Sequence, residues 1–349
     1  MFEPANDLAE DFVFEEKKVS INNTINKKIE KYIKTKINLW KPDNVSVVIM
    51  ATDGKVISSV GFKKKVGFNR FSPFTSVHPA ASLFKIVTAA SLFENGSKAN
   101  DVISYKGKGT TLYKYQLRKI SSYKWVRKVT FSDAFAKSNN VVMGKLALQK
   151  LNEKKIATMA LKFRFNRPII KNYTLLKSSF KNPENKYNLA EISSGFNDTT
   201  LMSPIHASVM TNIVLNDGKY CSPYFISSYV IDKNNYNEKC TPEFVIKKSS
   251  AKKIQSIMEK TLYKGTARKH FKRLWKKYES TYTMGGKTGT LKGGIPYGTN
   301  DWFTFFIKNK LSGKGLVIST LIVNEKKWYV KSAHLTKLIA NYLIRKKYI

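Results

Sequence analysis

Isoleucines fall every four residues near the start of the chain, at Ile21, Ile25, Ile29, Ile33 and Ile37, with Lys27, Lys28, Lys31 and Lys34 between them. That spacing predicts an amphipathic helix ended by Lys41-Pro42. Residues 45–51 then read as a strand, Asp53-Gly54 as a hairpin turn and residues 56–61 as the return strand. Helical periodicity takes over at 82–94, 131–137 and 141–150. Ser203-Pro204 offers an N-cap and a first-turn proline for a helix through about residue 215. Alternating residues at 109–130 predict a small hairpin, and 223–231 with 243–247 another. The last third returns to strands at 282–290, 301–309 and 315–323, joined by Gly-bearing turns, before a final helix at 332–346. Strands at both ends and helices between them predict one mixed α/β core with a helical insertion.

Composition narrows this picture. The 349 residues are 42% apolar and 13% aromatic, which excludes a disordered chain and suffices for a sizeable core. Residues 1–16 carry Glu3, Asp7, Glu10, Asp11, Glu15 and Glu16 and read as a loose acidic tail, so residues 1–19 are set apart from a domain at 20–349. The acidic start does not resemble an export signal, and no apolar run reaches the ~18 residues of a membrane span. Two cysteines, Cys221 and Cys240, either form one disulfide or are both free. His78, His206, His270 and His334 are scattered without metal-ligand spacing, and structural or surface roles are expected for them.

The net charge of +38 favours polyanions: nucleic acid, an anionic membrane surface or acidic cell-wall polymers. Basic clusters at 114–128 and 247–277 are interleaved with Tyr113, Tyr115, Tyr123, Trp125, Phe271 and Trp275, a mixture that can bind single strands. Solvated lysines on helical faces explain the same pattern.

Three short motifs carry chemistry. In Ser82-Leu83-Phe84-Lys85 the spacing of three puts a hydroxyl and an amine on one helical face. A serine hydroxyl needs a base, and a lysine serves when burial and nearby positive charge keep it neutral. Ser138-Asn139-Asn140 can line a cleft wall from a turn, Ser138 as a proton relay and Asn140 as an amide contact. In Gly285-Gly286-Lys287-Thr288-Gly289-Thr290, an edge strand would present Lys287 as fixed positive charge, with Gly289 admitting a substrate backbone. Each motif alone is also ordinary surface or turn chemistry.

Their order, S-x-x-K, S-x-N, K-T-G, resembles the signature of penicillin-binding proteins and serine β-lactamases. The segments KVTFSDAFAKSNNVVMGKLA, SSGFNDTTLMSPIHASVMTNIVLNDG, GTAR at 265–268 and DWF at 301–303 resemble the transpeptidases of high molecular mass. The similarity spans roughly residues 20–349. Pro79-Ala80-Ala81 stands where Pro-Gly is usual, and no glycosyltransferase region, pedestal or anchor is seen, so a lone transpeptidase domain is expected.

The resemblance implies an α+β fold: a five-stranded antiparallel sheet flanked by N- and C-terminal helices, with a large, mostly helical subdomain inserted. The α/β part would fall at about 20–61 and 250–349 and the helical part at about 62–249. It also implies a D,D-transpeptidase or carboxypeptidase acting on the D-Ala-D-Ala end of peptidoglycan stem peptides. Ser82 would be the nucleophile, Lys85 the base, Ser138 the proton relay and Lys287 its electrostatic partner. Asn140 would hold the stem, Thr288 and Thr290 the substrate carboxylate, and the N–H groups of Ser82 and Thr290 the oxyanion. β-Lactams would be covalent inhibitors, no cofactor or metal is required, and the setting would be extracytoplasmic. A glycosyltransferase partner and anionic polymers or membrane are compatible; specific nucleic acid is not expected. Two readings compete. A serine β-lactamase needs a deacylating carboxylate, and Glu184 and Glu191 lie in the right interval without the E-x-x-L-N setting. A non-catalytic binding module would keep the fold alone.

Overall fold

The computed structural model describes residues 11–14, 17–120, 124–171, 177–231 and 234–349. Its centre is an antiparallel sheet built from both ends of the chain. The strands are β1 (Asn44–Ala51), β2 (Val56–Lys63), β3 (Gly67–Asn69), β4 (Tyr282–Gly293), β5 (Gly298–Asn309) and β6 (Gly315–Asn324). They are ordered β4-β5-β6-β1-β2-β3, so the strand carrying Lys287 is an edge. The expected five strands become six because three residues, Gly67–Asn69, fold back on the end of β2.

Both faces of this sheet are covered, which is why β1 and β6 read as nearly unbroken apolar runs. On one face Val47 and Ile49 pack with Ile29, Ile33 and Ile37 of the helix Lys27–Trp40. The helices Arg268–Tyr278 and Ser332–Arg345 complete that layer through Phe271, Leu335 and Ile339. On the other face Val48, Met50 and Trp302 meet the helical part of the molecule. Its centre is the helix Lys85–Glu94, in which every residue from Lys85 to Phe93 is buried.

The N-terminal expectations need correcting. The first helix starts at Lys27, because the Asn26 side chain caps it by accepting from Ile29 N–H. Ile21 instead lies in a strand, Lys17–Asn23, whose neighbours are Asp11–Phe14 and Ile226–Ile231. Residues 11–14 are thus strand rather than loose tail, and the boundary set at 19/20 falls inside a strand; residues 1–10, 15 and 16 lie outside the described residues. With Asn234–Asn237 these strands form a second sheet of four.

Two predicted hairpins also pair differently. Arg127–Thr130 joins Val102–Tyr105, and Lys114–Leu117 is a short helix, because buried Gln116 hydrogen-bonds Tyr113 N–H and the carbonyls of Lys106 and Lys108. Residues 121–123 of that segment lie outside the described residues. Ile226–Ile231 pairs with Asn234–Asn237, and Glu243–Phe244 with Lys219–Tyr220. Cys221 and Cys240 are joined by a disulfide with Cα atoms 5.5 Å apart. Among the described residues no helix is long and apolar enough to cross a membrane.

Candidate active site

Ser82 sits in a 3₁₀ turn, Ala81–Phe84, and not in the first turn of the α-helix predicted from it; the helix begins at Lys85. The turn is entered through Ala81 at φ +48, a left-handed backbone that L-residues other than Asn and Asp rarely hold. Three contacts hold it. Trp302 Nε1 of β5 donates to Pro79 O at 2.9 Å, Ala80 N–H donates to Thr200 O at 2.8 Å, and Gly195 lies directly on Ala81. A Cβ on Gly195 would stand 2.0 Å from Ala81 O, so glycine is required there.

Lys85 exposes no surface, and its Nζ lies 2.7 Å from Ser82 Oγ. It also donates to Asn140 Oδ1 at 2.7 Å and to Ser194 O. Burial, and next the positive charge of Lys287, hold the Lys85 amine well below the ordinary lysine range. The same burial that favours the neutral amine places it beside the Ser82 hydroxyl.

A second hydroxyl–amine pair faces the first. Ser138, at φ +56 between the helices Phe131–Ala136 and Asn140–Lys150, accepts from Lys287 Nζ at 2.9 Å. Lys287 also donates to Thr288 O at 2.9 Å and lies 5.5 Å from the centre of the Phe135 ring. It too is fully buried, and burial brings its amine down to about 7. Asn140 is anchored twice, its N–H on Gly109 O and its Nδ2 on Thr110 O. Its side chain is thereby aligned with Lys85.

The outer wall is β4. Ser82, Ser138, Asn140, Thr288, Gly289 and Thr290 all line one open cleft of about 390 Å³, with Lys85 and Lys287 buried beneath its floor. All eight residues singled out from the sequence therefore meet at one place. Gly289 has a further use: its Cα faces the nucleophile turn, where a Cβ would lie 3.4 Å from Ala81 Cβ and from Leu83 N. Thr288 Oγ1 hydrogen-bonds Thr266 Oγ1, from the G-T-A-R segment.

Sequence reasoning assigned no role to several residues of this cleft. Thr110, Gly195, Phe196, Asp301 and Lys331 also line it. The carboxylate of Asp301, opposite Thr290 in the β4–β5 ladder, accepts from Ser332 N–H at 2.8 Å at the start of the C-terminal helix. Burial pushes it up to about 6. Gly195 and Asp301 each fall within a family-like segment, SSGFN and DWF, the one signal that could have found them. The four histidines are not together: His78 is buried against Asn300 Oδ1 at 2.9 Å, and His206 against Phe163 O at 2.6 Å. His270 and His334 have ring centres 5.6 Å apart, with His270 at the cleft edge. Of the aromatic residues interleaved with the basic clusters, Phe271 is in the core and Trp275 stacks on Tyr263, whereas Tyr113, Tyr115 and Trp125 are exposed.

The fold and the two lysine-serine pairs define a serine acyl-transfer centre, and comparison with known proteins gives the same class. The family model "Penicillin binding protein transpeptidase domain" matches residues 45–344, and the chain belongs to that family. No curated protein matches the sequence. Among solved structures, penicillin-binding protein 3 of Mycobacterium tuberculosis, complexed with aztreonam, is similar with a TM-score of 0.75 at 18% identity, over 95% of this chain and 80% of that one. Penicillin-binding protein A of M. tuberculosis, a ceftriaxone acyl-enzyme complex, gives 0.74 at 15% identity over 94% and 79%. The D,D-transpeptidase domain of a peptidoglycan glycosyltransferase from Eggerthella lenta gives 0.71 at 16% over 95% and 84%. At these identities the likeness is one of fold.

Proposed function

We propose that the protein is a D,D-acyltransferase of peptidoglycan that works through an acyl-enzyme on Ser82. One observation carries the reading: Lys85 Nζ is 2.7 Å from Ser82 Oγ, fully buried and depressed towards its neutral form. Lys85 takes the hydroxyl proton as Ser82 Oγ attacks the carbonyl between the two terminal D-alanines. The N–H groups of Ser82 and Thr290 receive the developing oxyanion. The C–N bond then breaks, and Ser138, held by Lys287, relays the proton taken up by Lys85 to the departing D-alanine amine. Thr288 and Thr290 bind the terminal carboxylate and Asn140 the stem. An acceptor amine or water next takes the acyl group and restores Ser82.

The amine route is the better supported. The cleft is open, and among the described residues its one lining carboxylate, Asp301, is engaged by Ser332 N–H rather than held free to activate water. Glu191 does not line the cleft; its carboxylate accepts from Asn188. This also disfavours the β-lactamase reading. The Cys221–Cys240 disulfide supports an extracytoplasmic setting, since such bonds persist in oxidising compartments.

The test is incubation with a penicillin followed by intact-mass measurement. A stable adduct is expected on the parent chain and none on Ser82→Ala. An equal adduct on the variant would remove Ser82 from the mechanism. Release of D-alanine from a D-Ala-D-Ala peptide, with and without an added amine, then separates transfer from hydrolysis.

A further inference from the structure

The register of the central sheet gathers four chain segments at one end of the molecule. Gly293 pairs with Gly298, Thr299 with Asn324, Val323 with Asn44, and Asn44 with Lys63. The β4–β5 turn, the loop after β6, the entry to β1 and the β2–β3 turn therefore emerge side by side, across about 24 Å for six strands.

Their tips share an unusual composition. Val66 at the β2–β3 turn and Ile295 and Tyr297 at the β4–β5 turn are each more than 70% exposed, and Trp328 in the loop after β6 is 42% exposed. Lysines surround them: Lys63, Lys64 and Lys65 in the first turn, Lys292 at the foot of the second, Lys326 and Lys327 in the third segment. Two carboxylates at this pole, Asp43 and Glu325, are tied to each other's neighbourhood, with Glu325 N–H on Asp43 Oδ2 and Asn44 Nδ2 on Glu325 Oε1, and Asp198 lies beside Gly293. The segments are also linked: Lys64 Nζ donates to Tyr329 Oη at 3.2 Å, and Lys331 Nζ stands 3.0 Å from the Trp328 ring centre. At the opposite end of the sheet, the β5–β6 turn shows one exposed large apolar residue, Leu311.

We infer that this pole docks on an anionic lipid bilayer, with Val66, Ile295, Tyr297 and Trp328 entering the interface and the lysines meeting the headgroups. Charge complementarity alone would suit a soluble polyanion equally. The apolar tips decide the occupant: four large side chains on three separate segments, ringed by lysine, are matched by a surface that is anionic outside and hydrocarbon beneath. Docking would also set the cleft close to the membrane. Ile295 lies five positions beyond Thr290 along β4 and its turn, about 17 Å if extended, and Lys331 lines the cleft while covering Trp328.

The full chain is sedimented with vesicles of phosphatidylcholine alone, or of phosphatidylcholine with one third phosphatidylglycerol, over a range of NaCl. Binding to the anionic vesicles that weakens with salt is expected, with little on the neutral ones. The combined Lys63→Gln, Lys64→Gln and Lys65→Gln should lower the partition coefficient on the order of a hundredfold. The combined Val66→Ser, Ile295→Ser and Trp328→Ser, which leaves the charge intact, should lower it at least about tenfold. It should also reduce the tryptophan quenching by chain-brominated lipid, whereas Leu311→Ser at the other pole should change neither. Absence of binding to anionic vesicles overturns the inference. So does binding that ignores the serine set and is displaced by soluble polyglutamate, which would assign the pole to an anionic polymer.

Discussion

Lys85 and Lys287 have different tasks although burial depresses both. Lys85 touches the nucleophile, so the proposed acylation needs its neutral form, and the rate should rise with pH as the amine loses its proton. After burial, the positive charge of Lys287 is the second cause of that depression. Removing that charge in Lys287→Met should let the Lys85 pKa rise and move the acid limb of the acylation profile to higher pH. The measurement is the second-order rate of penicillin acylation between pH 5 and 10. An acid limb that stays in place would mean that desolvation alone sets the base. Lys85→Ala should slow acylation by roughly 10²–10⁴-fold, the usual range for loss of a positioned base.

Among the elements, the nucleophile turn depends on a loop that is remote in sequence. Gly195 ends the helix Lys186–Ser194 at φ +62 and leaves no room for a Cβ against Ala81 O. Gly195→Ala should cost more than about 2 kcal/mol, combining a left-handed alanine with a backbone collision. Its acylation should slow as well, because Ala81 moves only with Ser82. Gly96, at φ +84 with nothing within 4 Å, is the internal standard: Gly96→Ala should cost about 1 kcal/mol and leave acylation unchanged. Urea unfolding and acylation rates check both, and equal effects at the two sites would refute the collision. The same remoteness marks what was legible in the chain. Ser82 and Lys85 share one turn, so their meeting could be read from spacing alone. Ser138 and Lys287 are 149 residues apart, and only the order of the motifs suggested that they meet. Ile21 fits a period of four and a period of two equally, and its strand partner, Ile226–Ile231, lies far along the chain; the second sheet was hidden for that reason. The cap at Asn26, by contrast, was a local signal that the isoleucine repeat overshadowed.

For the whole molecule, two fully buried lysines make folding stability depend on pH in a defined direction. In the unfolded chain each amine holds its proton up to about pH 10.4. In the folded chain Lys287 gives it up near 7 and Lys85 well below its ordinary value. Between pH 7 and about 10 the unfolded state binds more protons, so stability must rise with pH across that window. Between pH 7 and 9.5 the rise should be about 1–3 kcal/mol for Lys287. The net charge of +38 works in the same direction, since raising the pH relieves self-repulsion in the compact state. Urea unfolding of Lys287→Met separates the two contributions. That variant lowers the net charge by only one, yet should lose much of the rise between pH 7 and 9.5. It should also be less affected at pH 7, where the parent must discharge or bury a cation. If parent and variant gain equally with pH, Lys287 contributes nothing to the dependence and is not depressed in the folded protein.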